Sequence, residues 1–479
     1  MNHRMVWRTL ARTLLIEAAL MVLPLCIALY HGESWRGFVC TIVLLVAAFF
    51  LLQGFKPRNS DIYAKEGFLI VALSWITLSA FGALPFVIDG AIPSYIDAFF
   101  ETVSGFTTTG ATILTDVEAV GYGLLFWRSF MHWIGGMGVL VFMLAVLPLA
   151  EERSMHIMRA EVPGPVVGKL VPRVRNSAMI LYVIYLVLTI AEIVFLLCGG
   201  MPLFDAAVHA FGTAGTGGFS SRNLSVGYYN SAYIDVVIGT FMILFGVNFN
   251  LYFFLLLRRF SDVGKNEELR WYLGIIGFSV ITIAVCILPT YGTFPHALRY
   301  AYFQVASIIT TTGYSTANFD LWPEYARSLL VFIMFIGACA GSTGGGIKVS
   351  RVIIIAKSSV NEIRRMLNPR SVNLVKVDGN TVNSGTIHGT LIFVLLYFII
   401  LLLSVLVVSL DDLDFTTSVT GVIACFSNIG PGLSMVGPMG NFSMFSPFSK
   451  VLLSFVMLLG RLEIFPILTL FSPAAWRRN

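Results

Sequence analysis

Four Gly/Thr/Ser-rich patches, each set between two apolar segments, are the residues of this chain best suited to hold an ion. They are Thr107-Thr108-Thr109-Gly110, Gly215-Thr216-Gly217-Gly218, Thr310-Thr311-Thr312-Gly313 and Ser427-Asn428-Ile429-Gly430. Their final glycines lie 108, 95 and 117 residues apart, one to each unit of similar size. Glycine tolerates positive φ, so a run that ends in it can turn its carbonyls toward one axis. Threonine adds a hydroxyl and a stiff χ1. Four such runs around one axis can replace a cation's hydration shell. Non-helical backbone survives at membrane depth only where it lines such a cavity or is buried in protein. Close packing of membrane spans is the competing use of the same small residues.

The elements that must position these patches are legible from the pattern. Each patch follows an apolar stretch of about 10–13 residues that is too short to span a bilayer and reads as a re-entrant half-helix. Asp97, Asp205 and Asp414 stand near the starts of three of them, where an acid meets unpaired N–H groups. The partly negative C-terminal end then faces the glycine and favours a cation. The expected fold class is therefore an all-α membrane protein: four helix–pore-helix–helix repeats around one pore, plus an extra N-terminal pair of spans that carries no patch. The expected divisions are 1–62 for that pair, then repeats at 63–150, 151–262, 263–378 and 379–479.

Composition supports a membrane setting. Hydrophobic residues make up 57% of the 479 positions and charged residues 12%, more apolar surface than a soluble domain can hide. Ten spans are expected, at 12–30, 37–55, 67–88, 125–148, 178–198, 233–257, 271–290, 328–355, 387–409 and 449–471. The first does not read as a signal peptide: its apolar core is long, holds Glu17 and Pro24, and no small-residue cleavage site follows. With both termini in the cytoplasm, 24 of the 31 Lys and Arg fall on the inner side and six on the outer, in keeping with the positive-inside rule. The net charge of +5 thus reports topology rather than nucleic-acid binding. Thirteen of the 26 acids lie outside, and an acidic mouth concentrates cations. Six cysteines occur singly, without metal-ligand or CxxC spacing. No paired carboxylates, metal cluster or nucleophile–base set stands at membrane depth, so an enzyme is not expected.

Two further features lie below the third and fourth patches. The run Gly341-Ser342-Thr343-Gly344-Gly345-Gly346 interrupts the span at 328–355. Each interior glycine costs a helix about 1 kcal/mol relative to alanine, so the run is expected to unwind into a flexible plug; a glycine-rich helix crossing is the alternative. It is not a phosphate-binding loop, since Gly346 is followed by Ile347 and not by Lys. Lys348 and Arg351 are expected at the cytoplasmic end. Arg461 falls inside the last span, and an intramembrane charge usually marks a pathway; an ion pair with another span, for example through Glu192, is the alternative.

FETVSGFTTTGAT (100–112), TAGTGGFSS (213–221), TTTGYSTANF (310–319) and AGSTGGGIKVSR (340–351) resemble the Trk/Ktr/HKT superfamily of potassium transporters over nearly the whole chain. The extra N-terminal pair makes the chain most similar to the TrkH branch. The resemblance implies one potassium pathway, a homodimer, and a cytosolic nucleotide-binding ring of the TrkA kind, with no cofactor held by this chain. It implies filter ligands at Thr108, Thr109, Gly110, Thr216, Gly217, Gly218, Thr311, Thr312, Gly313, Asn428, Ile429 and Gly430. It places an intramembrane gating loop at Gly341–Gly346, with Arg461 beside it, and a multi-pass plasma-membrane location in contact with lipid. The fourth patch departs most, having no threonine and Pro431 next, which weakens strict selection against sodium. A gated potassium pore is the expected function, and a symporter coupled to H⁺ or Na⁺ the alternative.

Overall fold

In a computed structural model of the chain, residues 3–54, 64–138, 174–370 and 373–476 are described. Among these residues the architecture is helical, with one two-stranded hairpin (Lys376–Val377 against Asn380–Thr381). That hairpin had a readable signal: Asp378-Gly379 is a two-residue hairpin turn, and both residues take positive φ.

Six helices among the described residues are long and apolar enough to cross a membrane: His3–Tyr30, Arg36–Gln53, Glu66–Ile88, Ala178–Cys198, Glu267–Tyr291 and Ser384–Asp411. Each corresponds to an expected span. Three others differ from the expectation of continuous spans. The segment at 233–257 is two helices, Ala232–Phe245 and Phe249–Leu256, bent by 92°. The bend falls at Gly246 to Asn248, where the Asn248 side chain accepts from the Asn250 amide at 3.0 Å and starts the second helix. The segment at 328–355 stops at Ile336, passes through a non-helical loop, and resumes as Val349–Leu367. The last span breaks between Arg461 and Phe465, with Glu463 and Ile464 both at positive φ. The expected span at 125–148 begins as Tyr122–Gly136; its residues from 139 on, and most of the 151–177 connector, lie outside the described residues.

Four short helices precede the patches: Tyr95–Phe106, Leu203–Gly215, Phe294–Ile309 and Phe415–Phe426. Asp414 is the N-cap of the last and accepts from the Thr417 amide at 3.0 Å. Asp97 and Asp205 stand in first turns, where they also bind Lys450 at 2.7 Å and Arg222 at 3.0 Å. Charge at a helix start is thus used twice, against the dipole and against a cation.

The N-terminal pair is fastened to the first repeat by capping in both directions. The Glu33 carboxylate accepts from the Tyr122 and Gly123 amides at 2.7 and 3.0 Å, closing the N-terminus of Tyr122–Gly136. Asp89 accepts from the Gly37 amide at 3.0 Å, at the start of Arg36–Gln53. Replacing Glu33 by Ala strips two first-turn amides of their partner and should cost about 1–2 kcal/mol. The readout is a lowered thermal midpoint of the detergent-purified protein; an unchanged midpoint would show that the cap carries no stability.

Candidate functional site

All four patches adopt one backbone geometry. In each, the residue two before the glycine is left-handed: Thr108 at φ 55°, Thr216 at 56°, Thr311 at 59° and Asn428 at 56°. Its amide donates three residues back, at 3.0–3.3 Å, and the next amide donates five residues back, at 2.8–2.9 Å. These are the two bonds of a Schellman ending, which satisfies carbonyls at the end of each short helix. A β-branched residue in this conformation costs on the order of 1 kcal/mol, and three of the four positions are threonine. The strain is held in place by the two bonds.

The glycines then close a ring. Gly110, Gly218, Gly313 and Gly430 have φ of 79°, 82°, 85° and 96°. A Cβ on Gly110 would strike the carbonyl oxygen of Gly217, one on Gly218 that of Thr312, one on Gly313 that of Ile429, and one on Gly430 that of Thr109. The contacts run from repeat one to two, three, four and back to one. Left-handed residues alternate with ordinary ones along each patch. Within the described residues, the carbonyls of 108–110, 216–218, 311–313 and 428–430 accept no hydrogen bond.

The hydroxyls of the patches mostly face away from this ring. Thr107 and Thr109 pair at 2.8 Å, as do Thr310 and Thr312, and Thr216 bonds its neighbour Gly215 at 2.6 Å. The fourth patch, divergent in sequence, conforms in geometry: asparagine is among the residues that best tolerate the left-handed region. Asn428 Nδ2 also donates to Thr109 Oγ1 at 2.9 Å and to the Met457 carbonyl at 3.0 Å. Tyr314 binds repeat three to repeat two, its hydroxyl donating to the His209 and Phe219 carbonyls at 3.0 and 3.2 Å. The buried His132 ring fills the space beside Gly217.

Above the ring lies a cavity of about 160 Å³ whose lining includes all four glycines. Arg128 and Arg222 also line it, yet neither is a free cation. Arg128 is paired with the buried Glu101 at 2.7 Å and lies over the Phe219 ring at 4.0 Å, while Arg222 is paired with Asp205. Arg128, counted among the outer cations in the sequence, is thus a buried structural residue, and its pair with Glu101 is 27 residues distant in the chain. At the rim of this cavity the Asn223 amide, 2.8 Å from Asp116, holds that carboxyl below the usual range. The Thr417 hydroxyl does the same for Asp414.

Below the ring, the loop at 337–348 crosses the molecule. The Gly345 amide donates to Thr311 Oγ1 at 2.6 Å. Side chains on Gly344 and Gly345 would strike the Thr310 and Ser427 carbonyls, so the loop's tip rests on patches three and four. The bent helix pair receives its start: the Cys339 amide donates to the Gly246 carbonyl and the Phe249 amide to the Gly341 carbonyl, both at 3.0 Å. Ser342 Oγ donates to the Cys339 carbonyl at 2.6 Å, and Thr343 Oγ1 to the Phe245 carbonyl at 3.3 Å. Arg461 donates to the Thr343 carbonyl at 2.6 Å, to that of Gly136 at 2.7 Å, and to that of Gly135. One side chain of repeat four thereby joins the end of a repeat-one helix to the loop of repeat three. Lys348 and Arg351, expected at the cytoplasmic end, are both buried within the protein. Lys348 turns back to the Gly344 carbonyl, and Arg351 pairs with Glu463, Nη1 to Oε1 at 3.1 Å.

A family model described as a cation transport protein, TrkH, matches residues 36–478. The Trk system potassium uptake protein TrkH of Salmonella typhimurium is 36% identical over 100% of both chains. The Trk system potassium uptake protein TrkG of Escherichia coli is 35% identical over 95% of each. Among solved structures, the potassium transporter TrkH from Vibrio parahaemolyticus matches with a TM-score of 0.88 at 33% identity, covering 100% of both chains.

Arg461→Ala would leave the Thr343, Gly135 and Gly136 carbonyls without that donor, at about 1–3 kcal/mol for each buried group left unpaired. Amide exchange at Gly344–Gly346 should then quicken by about tenfold or more. Unchanged exchange would mean that the arginine does not hold the loop.

Proposed function

Because the chain belongs to the TrkH family of cation transport proteins, we propose that it takes up potassium across the plasma membrane through a gated, channel-like pore. The observation that carries this reading is the closed ring of four glycines, with twelve carbonyls at its patches that accept no hydrogen bond among the described residues. Buried carbonyls without a donor are costly in a low-dielectric interior, and a partly dehydrated cation is the partner that offsets the cost. The short helices aim their negative ends at the same place. Arg128 and Arg222 at the entrance are neutralised by Glu101 and Asp205, so the acidic rim sets the local potential.

In this reading the ligands are Thr108, Thr109, Gly110 and their counterparts Thr216 to Gly218, Thr311 to Gly313 and Asn428 to Gly430. Gly341–Gly346 is the gate, held by Arg461. The divisions at 1–62, 63–150, 151–262, 263–378 and 379–479 are taken as one N-terminal pair and four repeats. Two copies associate, both termini face the cytoplasm, and a nucleotide-binding cytosolic ring supplies regulation. The chain would copurify with that ring, and ATP or ADP gating of the isolated chain would count against it.

The first test is the reversal potential of purified protein in liposomes under opposed K⁺ and Na⁺ gradients, with a pH gradient added afterwards. A potential that follows K⁺ alone is expected. One that follows both ions alike overturns the selective filter, and a shift with pH moves the reading to a symporter. Gly313→Ala, which places a methyl at φ 85° against the Ile429 carbonyl, should lower the K⁺/Na⁺ permeability ratio by about tenfold or more, equivalent to roughly 1.4 kcal/mol. An unaltered ratio would exclude the ring as the selective element.

A further inference from the structure

The buried carboxylate of Glu268 belongs neither to the ring nor to the contacts of Arg461, yet it touches both ends of the glycine loop. It stands in the first turn of Glu267–Tyr291 and is 6% exposed. Its Oε1 accepts from the Ala340 amide at 2.7 Å and from the Ser350 amide at 3.0 Å. Ala340 precedes the loop's tip. Ser350 follows it, in the first turn of Val349–Leu367, where helix amides lack intrahelical partners. One oxygen therefore closes the base of a loop whose tip rests on Thr311 and the Ser427 carbonyl.

The same turn is tied to the hairpin at Lys376–Thr381. Asp378 accepts from the Glu267 amide at 2.6 Å and from Asn266 Nδ2 at 3.0 Å. Lys357 pairs with Glu267 and donates to the Lys376 carbonyl at 2.7 Å. From the hairpin to the loop's base, the contacts pass through adjacent residues of one helical turn.

We propose that Glu268 is the positioning residue that pins the glycine loop beneath the ring, and that the Lys376–Thr381 hairpin sets its position through Asp378. This rests on the reading of the loop as a gate. Both bonds use one oxygen at fixed reach, so geometry rather than charge carries the role. Glu268→Asp keeps the charge but withdraws the oxygen by one methylene. Glu268→Gln keeps an acceptor at full reach and discards the charge.

The test is potassium flux through the purified, partner-free chain in liposomes, with reversal potentials recorded alongside. Glu268→Asp should raise flux by about tenfold, while Glu268→Gln should restore it to within about twofold of the parent. Reversal potentials should stay at the parent value in both, which a generally disrupted protein would not manage. Parent-like flux in Glu268→Asp, or equal leak in both variants, overturns the proposal. Deleting Gly344–Gly346 separates the two readings. If the deletion raises flux and Glu268→Asp does not, the pin fails and the gate stands; if neither raises it, the gate reading fails. Should Glu268→Asp yield no folded protein, Asp378→Ala and Glu268→Gln carry the test. Asp378→Ala must then raise flux and Glu268→Gln must match the parent, and any other result overturns the proposal.

Discussion

Backbone that leaves the helix inside a membrane must find partners for its amides and carbonyls, and the way the four patches meet this demand organises the rest of the molecule. Each short helix ends in a left-handed residue whose amide, with the next one, bonds back into the helix. The amides are thereby satisfied locally, and the carbonyls are left over. Threonine hydroxyls that could have competed for the axis are paired with one another instead, as at Thr107–Thr109 and Thr310–Thr312. Glycine follows because the neighbouring repeat's carbonyl sits where a Cβ would be. A single geometric device, repeated four times, thus sets both the shape of the ring and the residue type at its corners.

The surrounding contacts hold four unequal units to one radius. Tyr314 reaches from repeat three to repeat two, Asn428 from four to one, and Lys450 from four to Asp97 of one. Arg299 joins Asp235 across repeats three and two at 2.7 Å. Breaking such a buried pair by removing one partner is far costlier than the pair's own net contribution. Each of these contacts joins two different repeats. The Glu101–Arg128 pair acts within the first repeat, where Glu101 also receives the Thr112 hydroxyl and the Ile113 amide at 2.9 Å each.

The loop at 337–348 obeys the same rule with borrowed partners. Its polar groups are met by the bent helix pair at Gly246 and Phe249, by Thr311, by Arg461 and by Glu268, and within the loop by its own Lys348. The 92° bend in repeat two and the break in repeat four past Arg461 stand beside that loop. Three irregular segments thus complete one another, and none would be tolerable alone in an apolar medium.

Much of this was legible in the chain itself. The spacing of the glycines, the short apolar stretches before them and the interrupted span all follow from local chemistry: where helix fails, where a capping acid fits, where glycine is needed. The membrane setting follows from composition. What periodicity could not reveal was long-range. The pairing of Glu101 with Arg128, the inward turn of Lys348, and the reach of Glu268 to both ends of the loop depend on which elements lie side by side. The bend at Gly246 to Asn248 passed as part of an apolar span because its residues are apolar enough on either side; only the docked loop makes it necessary. The conformity of the fourth patch is the clearest division between the two levels. Its sequence, lacking threonine, looked like a departure. Its backbone repeats the other three, because a left-handed turn and a close approach constrain φ and the space for a Cβ, and Asn428 and Gly430 meet those conditions without a threonine.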